Sequence, residues 1–200
     1  MIFFGGIKII KLNKKILIFI AGIFLVISSI FLITLGYKKI LKCMYPIKYE
    51  EYVNEASAKY KVNRSLIYAV IKCESNFNEN AHSHANAQGL MQITKETFEW
   101  LNLYEKEKYD SSLIKNPRIN ILRGTLLISV LKKMYSNPDS CLCAYNAGVA
   151  TVDRWLGDKN FSKDGKHLSK IPYPETEVYL KKVKHAEKMY NKIYFEKEEL

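Results

Sequence analysis

The pattern of apolar and charged positions divides the chain into one long hydrophobic stretch and a longer region of mixed character. Residues 16–36 form a run of 21 positions without a charge. As a helix, this run spans roughly 30 Å, the thickness of a bilayer's hydrocarbon core. The alternative is a cleaved signal peptide, but its apolar core is only about 7–15 residues long and is followed by a small-x-small cleavage site. The run therefore favours an uncleaved transmembrane helix over residues 16–36.

Beyond residue 47, apolar residues recur at the three- and four-residue spacing that lines one face of a helix. Asn63, Thr94 and the pairs Asn116–Pro117 and Asn137–Pro138 are typical helix starts, and Gly148 is a typical helix end. No segment shows the sustained alternation of a β-strand. The pattern predicts a mainly α-helical domain, with helices near residues 49–60, 63–76, 95–103, 116–135, 137–148, 149–156 and 174–195 and loops at 78–88, 104–115 and 157–170.

One carboxylate occupies a position that the helical pattern reserves for an apolar residue. Ile67 and Ile71 lie on one stripe, and the next position of that stripe is Glu74. The helix ends just after Glu74, so the negative end of the helix dipole and apolar neighbours both disfavour its charged form. We therefore expect Glu74 to hold a proton near neutral pH. A surface glutamate at a frayed helix end is the alternative, since Glu is rarely buried unless paired.

The net charge of +11 first suggests nucleic-acid binding. However, residues 1–42 hold seven lysines and no acidic residue, leaving 24 basic and 20 acidic residues in the rest of the chain. Most of the excess therefore flanks the hydrophobic run, where it suits anionic lipid head groups. No arginine-rich stripe or recognition motif remains, so we expect the chain to bind no nucleic acid.

Neither the histidines nor the cysteines form a pattern that predicts a metal or cofactor. His82 and His84 lie in a polar loop, and nothing nearby completes the three or four ligands of a zinc site. Cys141 and Cys143 point in different directions on one predicted helix and should not bridge each other. We expect them and Cys73 to be buried, unreactive thiols, or one of the two to pair with Cys73.

Four short signatures occur in order along the helical region: Glu74–Ser75, Gly89–Leu90–Met91–Gln92, Ala144–Tyr145–Asn146–Ala147–Gly148, and Pro172–Tyr173–Pro174–Glu175–Thr176 with Tyr179. Together they resemble the soluble lytic transglycosylases, bacterial relatives of goose-type lysozyme, over about residues 46–195. One departure is Asn86, where the family often has glycine; Asn tolerates left-handed backbone geometry, so the turn can survive.

The resemblance implies a lysozyme-like α-helical fold with a sugar-binding groove and cleavage of the β-1,4 bond between N-acetylmuramic acid and N-acetylglucosamine in peptidoglycan. It implies that Glu74 is the sole catalytic acid/base and that Ser75 helps to orient it. It also implies substrate contacts, together with Ser75, by Met91, Gln92, Tyr145, Asn146 and Glu175. From the residues alone, Tyr145 and Met91 are also consistent with core packing, and Glu175 with an acid favoured at a helix N-terminus.

A single carboxylate suffices for this reaction if the substrate supplies the nucleophile. Glu74 protonates the glycosidic oxygen and then accepts a proton from the sugar's C6 hydroxyl, which closes a 1,6-anhydro ring. Two alternatives stay open: a muramidase in which water attacks, and a non-catalytic scaffold that holds peptidoglycan within an envelope machine. An intact Glu74 argues against the scaffold.

The expected organisation places a membrane-anchored catalytic domain on the extracytoplasmic face of the cell membrane, with peptidoglycan strands as its partner. The predicted segments are a short cytoplasmic N-terminus (1–15), a single transmembrane signal-anchor (16–36), a juxtamembrane linker (37–47), the catalytic domain (48–195) and a charged tail (196–200).

Overall fold

The computed structural model describes residues 13–196, so most of the predicted N-terminus and nearly all of the charged tail lie outside it. The chain divides into two units, which meet in sequence between Met44 and Tyr45. The first unit contains α1 (Lys14–Met44), and its segment Ile18–Met44 is long and apolar enough to cross a membrane. The helix runs beyond the predicted end at residue 36, because nothing in residues 37–44 breaks it. Most of the predicted linker is therefore helical.

The second unit is a bundle of seven α-helices with no β-strand among its described residues. This confirms the predicted mainly α-helical class. The helices are α2 (Glu50–Tyr60), α3 (Arg64–Ser75), α4 (Lys95–Trp100), α5 (Pro117–Met134), α6 (Pro138–Ala147), α7 (Val149–Gly157) and α8 (Pro174–Tyr190). Short 3₁₀ turns at Leu101–Leu103 and Ser111–Lys115 lie between α4 and α5, and a π-helical turn, Asn191–Phe195, follows α8.

Most predicted helix starts are confirmed by their hydrogen bonds. The side-chain oxygens of Thr94, Asn116 and Asn137 each accept a bond from the backbone N–H three residues later. The prediction for Asn63 is wrong in its detail: α3 begins after it, but its side chain makes no capping bond. The backbone carbonyl of Asn63 accepts the first bonds of the helix instead.

Helix α5 is the centre of the domain, and nearly every residue from Ile119 to Leu131 is buried. Helix α2 packs against α5, and α3 packs against α8. Gly124 allows one close approach: a Cβ at this position would lie 2.6 Å from Cβ of Met91 and 2.8 Å from its Cε. Any side chain at Gly124 would displace Met91, so the close packing here requires glycine.

The domain begins at Tyr45, three residues before the predicted boundary. The Tyr45 ring is buried edge-on against Tyr190, with centroids 5.5 Å apart. The hydroxyl of Tyr194 donates to the carbonyl of Tyr45 at 2.8 Å, and that of Tyr190 donates to the carbonyl of Pro46 at 3.2 Å. These contacts join the first residues of the domain to its last helix.

A chain shortened to begin at Tyr45 is expected to fold, whereas one that begins at Lys48 should be less stable by about 3 kcal/mol. Removing a buried aromatic ring costs energy of this order, and the hydroxyls of Tyr190 and Tyr194 also lose their acceptors. Urea unfolding of the two shortened chains, compared with the full chain, measures the difference. Equal free energies of unfolding for the two would show that Tyr45 lies outside the folding unit.

The cysteines form no disulfide among the described residues. Cys141 and Cys143 are buried and Cys73 is half-buried. Burial raises the pKa of Cys73 to about 11 and the pKa values of Cys141 and Cys143 to about 12. Of the two predicted arrangements, the structure has the unreactive thiols, although Cys73 is less buried than expected.

Candidate active site

Glu74 lies in the last turn of α3, directly before a sharp reversal of the chain. Two successive residues, Asn76 and Phe77, have left-handed backbone angles, with φ of 49° and 65°. The N–H of Asn76 donates to the carbonyl of Lys72, which closes the helix. The carboxylate therefore lies beside the helix's negative end, as the sequence predicted.

Ser75 joins the end of α3 to the Gly89–Gln92 segment. Its hydroxyl donates to the carbonyl of Leu90 at 2.8 Å and also contacts the carbonyl of Ile71 at 3.2 Å. Neither bond leaves the hydroxyl directed at a ligand. The hydroxyl holds backbone in place beside Glu74, and the substrate contact of Ser75 stays a prediction.

The Gly89–Gln92 segment is anchored to the core through Asn120, a fully buried residue of α5. The Asn120 side chain accepts from the N–H of Met91 at 2.7 Å and donates to the carbonyls of Gln88 and Ile114 at 3.0 and 2.7 Å. Gly89 packs so closely that an added Cβ would lie 2.7 Å from Cγ of Asn120. One buried amide thus holds the Gln88–Met91 backbone against the 3₁₀ turn that contains Ile114.

The side chain of Met91 lies in the core, which is the alternative that the residues left open. It is fully buried against Gly124 and Thr125. Only its backbone is near the site: the hydroxyl of Tyr145 donates to the Met91 carbonyl at 2.8 Å. The left-handed turn at Gln92, with φ of 48°, directs Met91 inward while Gln92 lines the groove.

The signature on α6 meets the one on α8 beside the same loop. Asn146 accepts a hydrogen bond from the hydroxyl of Thr176 at 2.7 Å. Glu175 is exposed in the first turn of α8, where a carboxylate is also favourable for the helix. Tyr145, Asn146 and Glu175 therefore lie at one end of the domain with Glu74, although they are far apart in sequence.

These residues line a groove with a volume of about 460 Å³. Five of the seven predicted site residues belong to its lining: Glu74, Gln92, Tyr145, Asn146 and Glu175. Other lining residues that had no predicted role come from the 78–88 loop, from the start of α4 and from α5, namely Ser83, His84, Ala85, Ala87, Ile93, Thr94, Thr97 and Leu127. The loop has a left-handed turn at Asn86, with φ of 59°, which is the backbone geometry that Asn tolerates.

Burial is the main cause of the unusual proton affinity of Glu74. Loss of solvation raises the pKa of Glu74 from its ordinary value of 4.5 to about 7. The carboxylate of Glu175 acts in the same direction, whereas the hydroxyl of Tyr179 lowers the pKa by hydrogen bonding to the charged form. The Tyr179 hydroxyl is fully buried, and no hydrogen-bond partner among residues 13–196 is well aligned with it. Its bond to Glu74 is therefore weak.

The contact between Tyr179 and Glu74 was not predicted from the sequence. Tyr179 was noted as part of the last signature without a role of its own. About one turn of α8 separates it from Glu175 and Thr176, and its ring is buried where α8 packs against α3. The available signal was the three-residue spacing from Thr176, which places Tyr179 on the same face of α8.

The geometry provides one carboxyl group that exchanges a proton near neutral pH at the wall of an open groove. Such a group can act as a general acid and then as a general base on a bound molecule. Among residues 13–196, no three His, Cys, Asp or Glu side chains come together as metal ligands do. His84 lies in the groove wall without such neighbours.

Solved structures of similar fold are bacterial enzymes. An inactive mutant of the lytic transglycosylase Slt from Pseudomonas aeruginosa superposes with a TM-score of 0.66 at 23% identity, covering 76% of this chain and 25% of that chain. The 70-kDa soluble lytic transglycosylase of Escherichia coli gives a TM-score of 0.65 at 24% identity, with the same coverage. At this identity the likeness establishes a shared lysozyme-like fold.

Sequence comparison extends the match to the family. The membrane-bound lytic murein transglycosylase C of Cronobacter sakazakii is 33% identical over 172 residues, covering 72% of this chain and 47% of the relative. The chain thus spans about half the length of this relative. Residues 51–168 match the family model of the transglycosylase SLT domain, which covers more than half of the chain. On this match, the chain belongs to the transglycosylase SLT domain family.

Proposed function

We propose that this chain is a peptidoglycan lytic transglycosylase, which cleaves the β-1,4 bond between N-acetylmuramic acid and N-acetylglucosamine and forms a 1,6-anhydromuramoyl product. The observation that carries the proposal is the carboxyl group of Glu74, whose pKa is raised to about 7 in the wall of a groove of about 460 Å³. The names of the similar proteins, all lytic transglycosylases, support the same activity.

The first step needs the protonated form of Glu74. Its proton passes to the glycosidic oxygen, the bond from that oxygen to C1 of muramic acid breaks, and N-acetylglucosamine leaves with a new hydroxyl. Positive charge then develops on C1, where the neighbouring N-acetyl group stabilises it. A carboxyl group with a pKa of about 7 is about half protonated at neutral pH and therefore available as the acid.

The second step uses the same carboxyl group as a base. The C6 hydroxyl of muramic acid loses its proton to Glu74 while its oxygen bonds to C1, which closes the anhydro ring and restores the acid. No water is consumed, so the net reaction is an elimination within the sugar. The step requires only that Glu74 reach both oxygens in turn, which an unpaired carboxylate at the groove wall can do.

The remaining groove residues have positioning or contact roles in this proposal. Gln92, Asn146 and Glu175 offer polar groups to the sugar or its peptide. The hydroxyls of Tyr145 and Ser75 each donate to a backbone carbonyl of the Gly89–Gln92 segment, so they hold that segment in place beside Glu74. Tyr145 also lines the groove, where its second role is an apolar contact.

Replacing Tyr179 with Phe is expected to raise the pKa of Glu74 above about 7, because the charged carboxylate loses the hydroxyl that stabilises it. As Glu74 acts first as an acid, activity falls where pH exceeds its pKa, and this descending limb should move to higher pH. Rates of muropeptide release between about pH 5 and about pH 9 measure the shift.

The matched control is Tyr135→Phe, which removes a hydroxyl that donates to Asp153 at 2.7 Å, away from the groove. This control should leave the descending limb of the pH–rate profile unchanged. A Tyr179→Phe profile that coincides with the wild type, or that moves to lower pH, would remove Tyr179 from the account of the site.

A hydrolytic muramidase is the second candidate, favoured by one observation. Glu175 is a second carboxylate in the same groove and is close enough to Glu74 to raise its pKa. In an inverting hydrolase the second carboxylate lies about 6.5–9.5 Å from the acid and activates the attacking water. The Glu175→Gln variant distinguishes the two candidate functions. If the chain is a hydrolase, the turnover number of this variant falls about 10²-fold or more; if it is a lytic transglycosylase, the turnover number stays within a fewfold of the wild type.

We further propose that α1 anchors the domain in the cell membrane by a single pass, with the catalytic domain on the extracytoplasmic face. The length and composition of Ile18–Met44 support a span, and relatives carry the words membrane-bound in their names.

Cys43 offers a test, since it is exposed while the other described cysteines are at least half-buried. A membrane-impermeant maleimide should label Cys43 in intact cells, and labelling only after lysis would reverse the orientation.

A further inference from the structure

A second cavity opens on the domain outside the groove, between the end of α2, the 3₁₀ turn after α4 and the second half of α5. Its volume is about 530 Å³. Four lysines from two elements line it: Lys59 and Lys61 at the end of α2, and Lys132 and Lys133 at the end of α5. We call this cavity the basic pocket.

The charges of the basic pocket are only partly neutralised. Lys59 forms an ion pair with Glu105 at 3.0 Å, and the Glu105 side chain is only 9% exposed. Lys132 also lies near Glu187: burial raises the pKa of that carboxyl, and the charge of Lys132 acts against this rise. Lys61 and Lys133 have no ion-pair partner among residues 13–196, and both are exposed. The pocket thus presents two free ammonium groups and suits an anion.

The rest of the lining is apolar or aromatic. Tyr60 and Tyr104 contribute rings, and Leu126 contributes an aliphatic side chain. The Tyr104 ring is fixed edge-on against Trp100, with centroids 4.8 Å apart. A bare phosphate would leave these surfaces without a partner, whereas a peptide carries both carboxylates and apolar side chains. The lining therefore favours an acidic peptide.

The basic pocket and the groove share two of the elements that line them. On α5, Leu127 lines the groove and the preceding residue, Leu126, lines the pocket. In the segment that follows Thr94, Thr97 lines the groove and Tyr104 lines the pocket. Seven helical residues correspond to about 10 Å, and an extended pentapeptide reaches about 17 Å. An extended stem peptide is therefore longer than the rise between Thr97 and Tyr104 along this segment.

We propose that the basic pocket binds the carboxylates of the stem peptide that muramic acid carries, with Lys61 and Lys133 as their partners. This inference rests on the proposed function, because the peptide enters only with a peptidoglycan strand in the groove. The pocket makes the chain prefer strands whose peptides are intact over strands from which the peptides have been removed.

The test compares soluble glycan strands with and without stem peptides as substrates of the full chain in detergent. For the double variant Lys61→Gln/Lys133→Gln, KM on peptide-bearing strands should rise about fivefold to tenfold, since two exposed charge pairs are lost. The turnover number, and KM on peptide-free strands, should stay within twofold. Lys61→Arg/Lys133→Arg should restore the wild-type KM.

The matched control is Lys188→Gln/Lys192→Gln, which removes the same charge from exposed positions on α8 and after it. An equal rise in KM for this control would assign the effect to net charge and overturn the proposal. An equal rise on both substrates for the Lys61→Gln/Lys133→Gln variant would do the same. No rise on peptide-bearing strands would overturn it as well.

A binding measurement keeps this inference separate from the proposed function. Calorimetry on the Glu74→Gln full chain uses a synthetic muramoyl tripeptide with free carboxylates, the same compound with its carboxylates amidated, and inorganic phosphate. The free acid should bind, and the lysine-to-glutamine double variant should lose that binding. Equal binding of the amidated compound, or stronger binding of phosphate, would overturn the assignment even if the chain proves to be a lytic transglycosylase.

Discussion

Glu74→Gln is expected to lower the rate of glycan cleavage at least about 10²–10⁴-fold, the usual range for loss of one general acid or base. The loss should lie at or beyond the upper end, because one group performs both proton transfers in the proposed reaction. Gln keeps the size and shape of Glu, so the groove keeps its lining. Binding to purified peptidoglycan, measured by sedimentation, should survive.

The same variant should become more stable above neutral pH. In the folded chain Glu74 holds its proton up to a pKa of about 7, whereas in the unfolded chain it releases the proton near 4.5. The folded state therefore binds more protons between these values, and stability falls as pH rises through them. The difference corresponds to about 3 kcal/mol above pH 7, and Gln removes it.

Urea unfolding at about pH 4 and about pH 8 measures this effect. Glu74→Gln should match the wild type at the lower pH and exceed it at the higher pH. Glu51→Gln, an exposed change in the first turn of α2, is the control and should gain no stability at either pH. A Gln variant that gains nothing at the higher pH would mean that Glu74 is an ordinary solvated carboxylate.

Asn120→Ala is expected to destabilise the domain by about 3 kcal/mol and to reduce activity although Asn120 does not line the groove. Its side chain satisfies the N–H of Met91 and the carbonyls of Gln88 and Ile114, all in the interior. Each buried polar group left without a partner costs about 1–3 kcal/mol. The freed segment carries Gln92 and the carbonyl to which Tyr145 bonds.

Thermal and urea unfolding, together with cleavage rates at a temperature where the variant is folded, test this prediction. Asn191→Ala, an exposed change beyond α8, is the matched control and should alter stability by less than about 0.5 kcal/mol. Asn120→Asp keeps the shape but loses both donated bonds and buries a charge, so it should be at least as destabilising. A loss below about 1 kcal/mol in the Ala variant would contradict the anchoring role of Asn120.

The helices and the position of Glu74 were predictable because both follow from local rules. Apolar spacing and Asn-Pro pairs fixed the starts of α5 and α6 to the residue. A carboxylate on an apolar stripe near a helix end indicated a raised pKa without any knowledge of the fold. These features depend on neighbours within one or two turns, which the sequence displays directly.

The details of the site depended on distant contacts that the sequence does not display. Met91 turns inward because Gly124, 33 positions later, leaves space for it, and no local rule reveals that vacancy. Asn120 lies in the middle of a helix, where a polar residue is usually solvent-exposed. The fully buried Arg123 is similar: its guanidinium lies about 5 Å from the rings of Phe98 and Tyr109, a contact that depends on how the 95–115 segment folds back.

The central claim is that Glu74 transfers a proton from the substrate's own hydroxyl and that water takes no part. Mass analysis of the fragments released from purified peptidoglycan by the full chain tests this most directly, with Glu74→Gln as the blank. The expected fragments are muropeptides that end in 1,6-anhydromuramic acid, each one water lighter than the product of hydrolysis. Fragments that end in reducing muramic acid would contradict it and make the chain a muramidase.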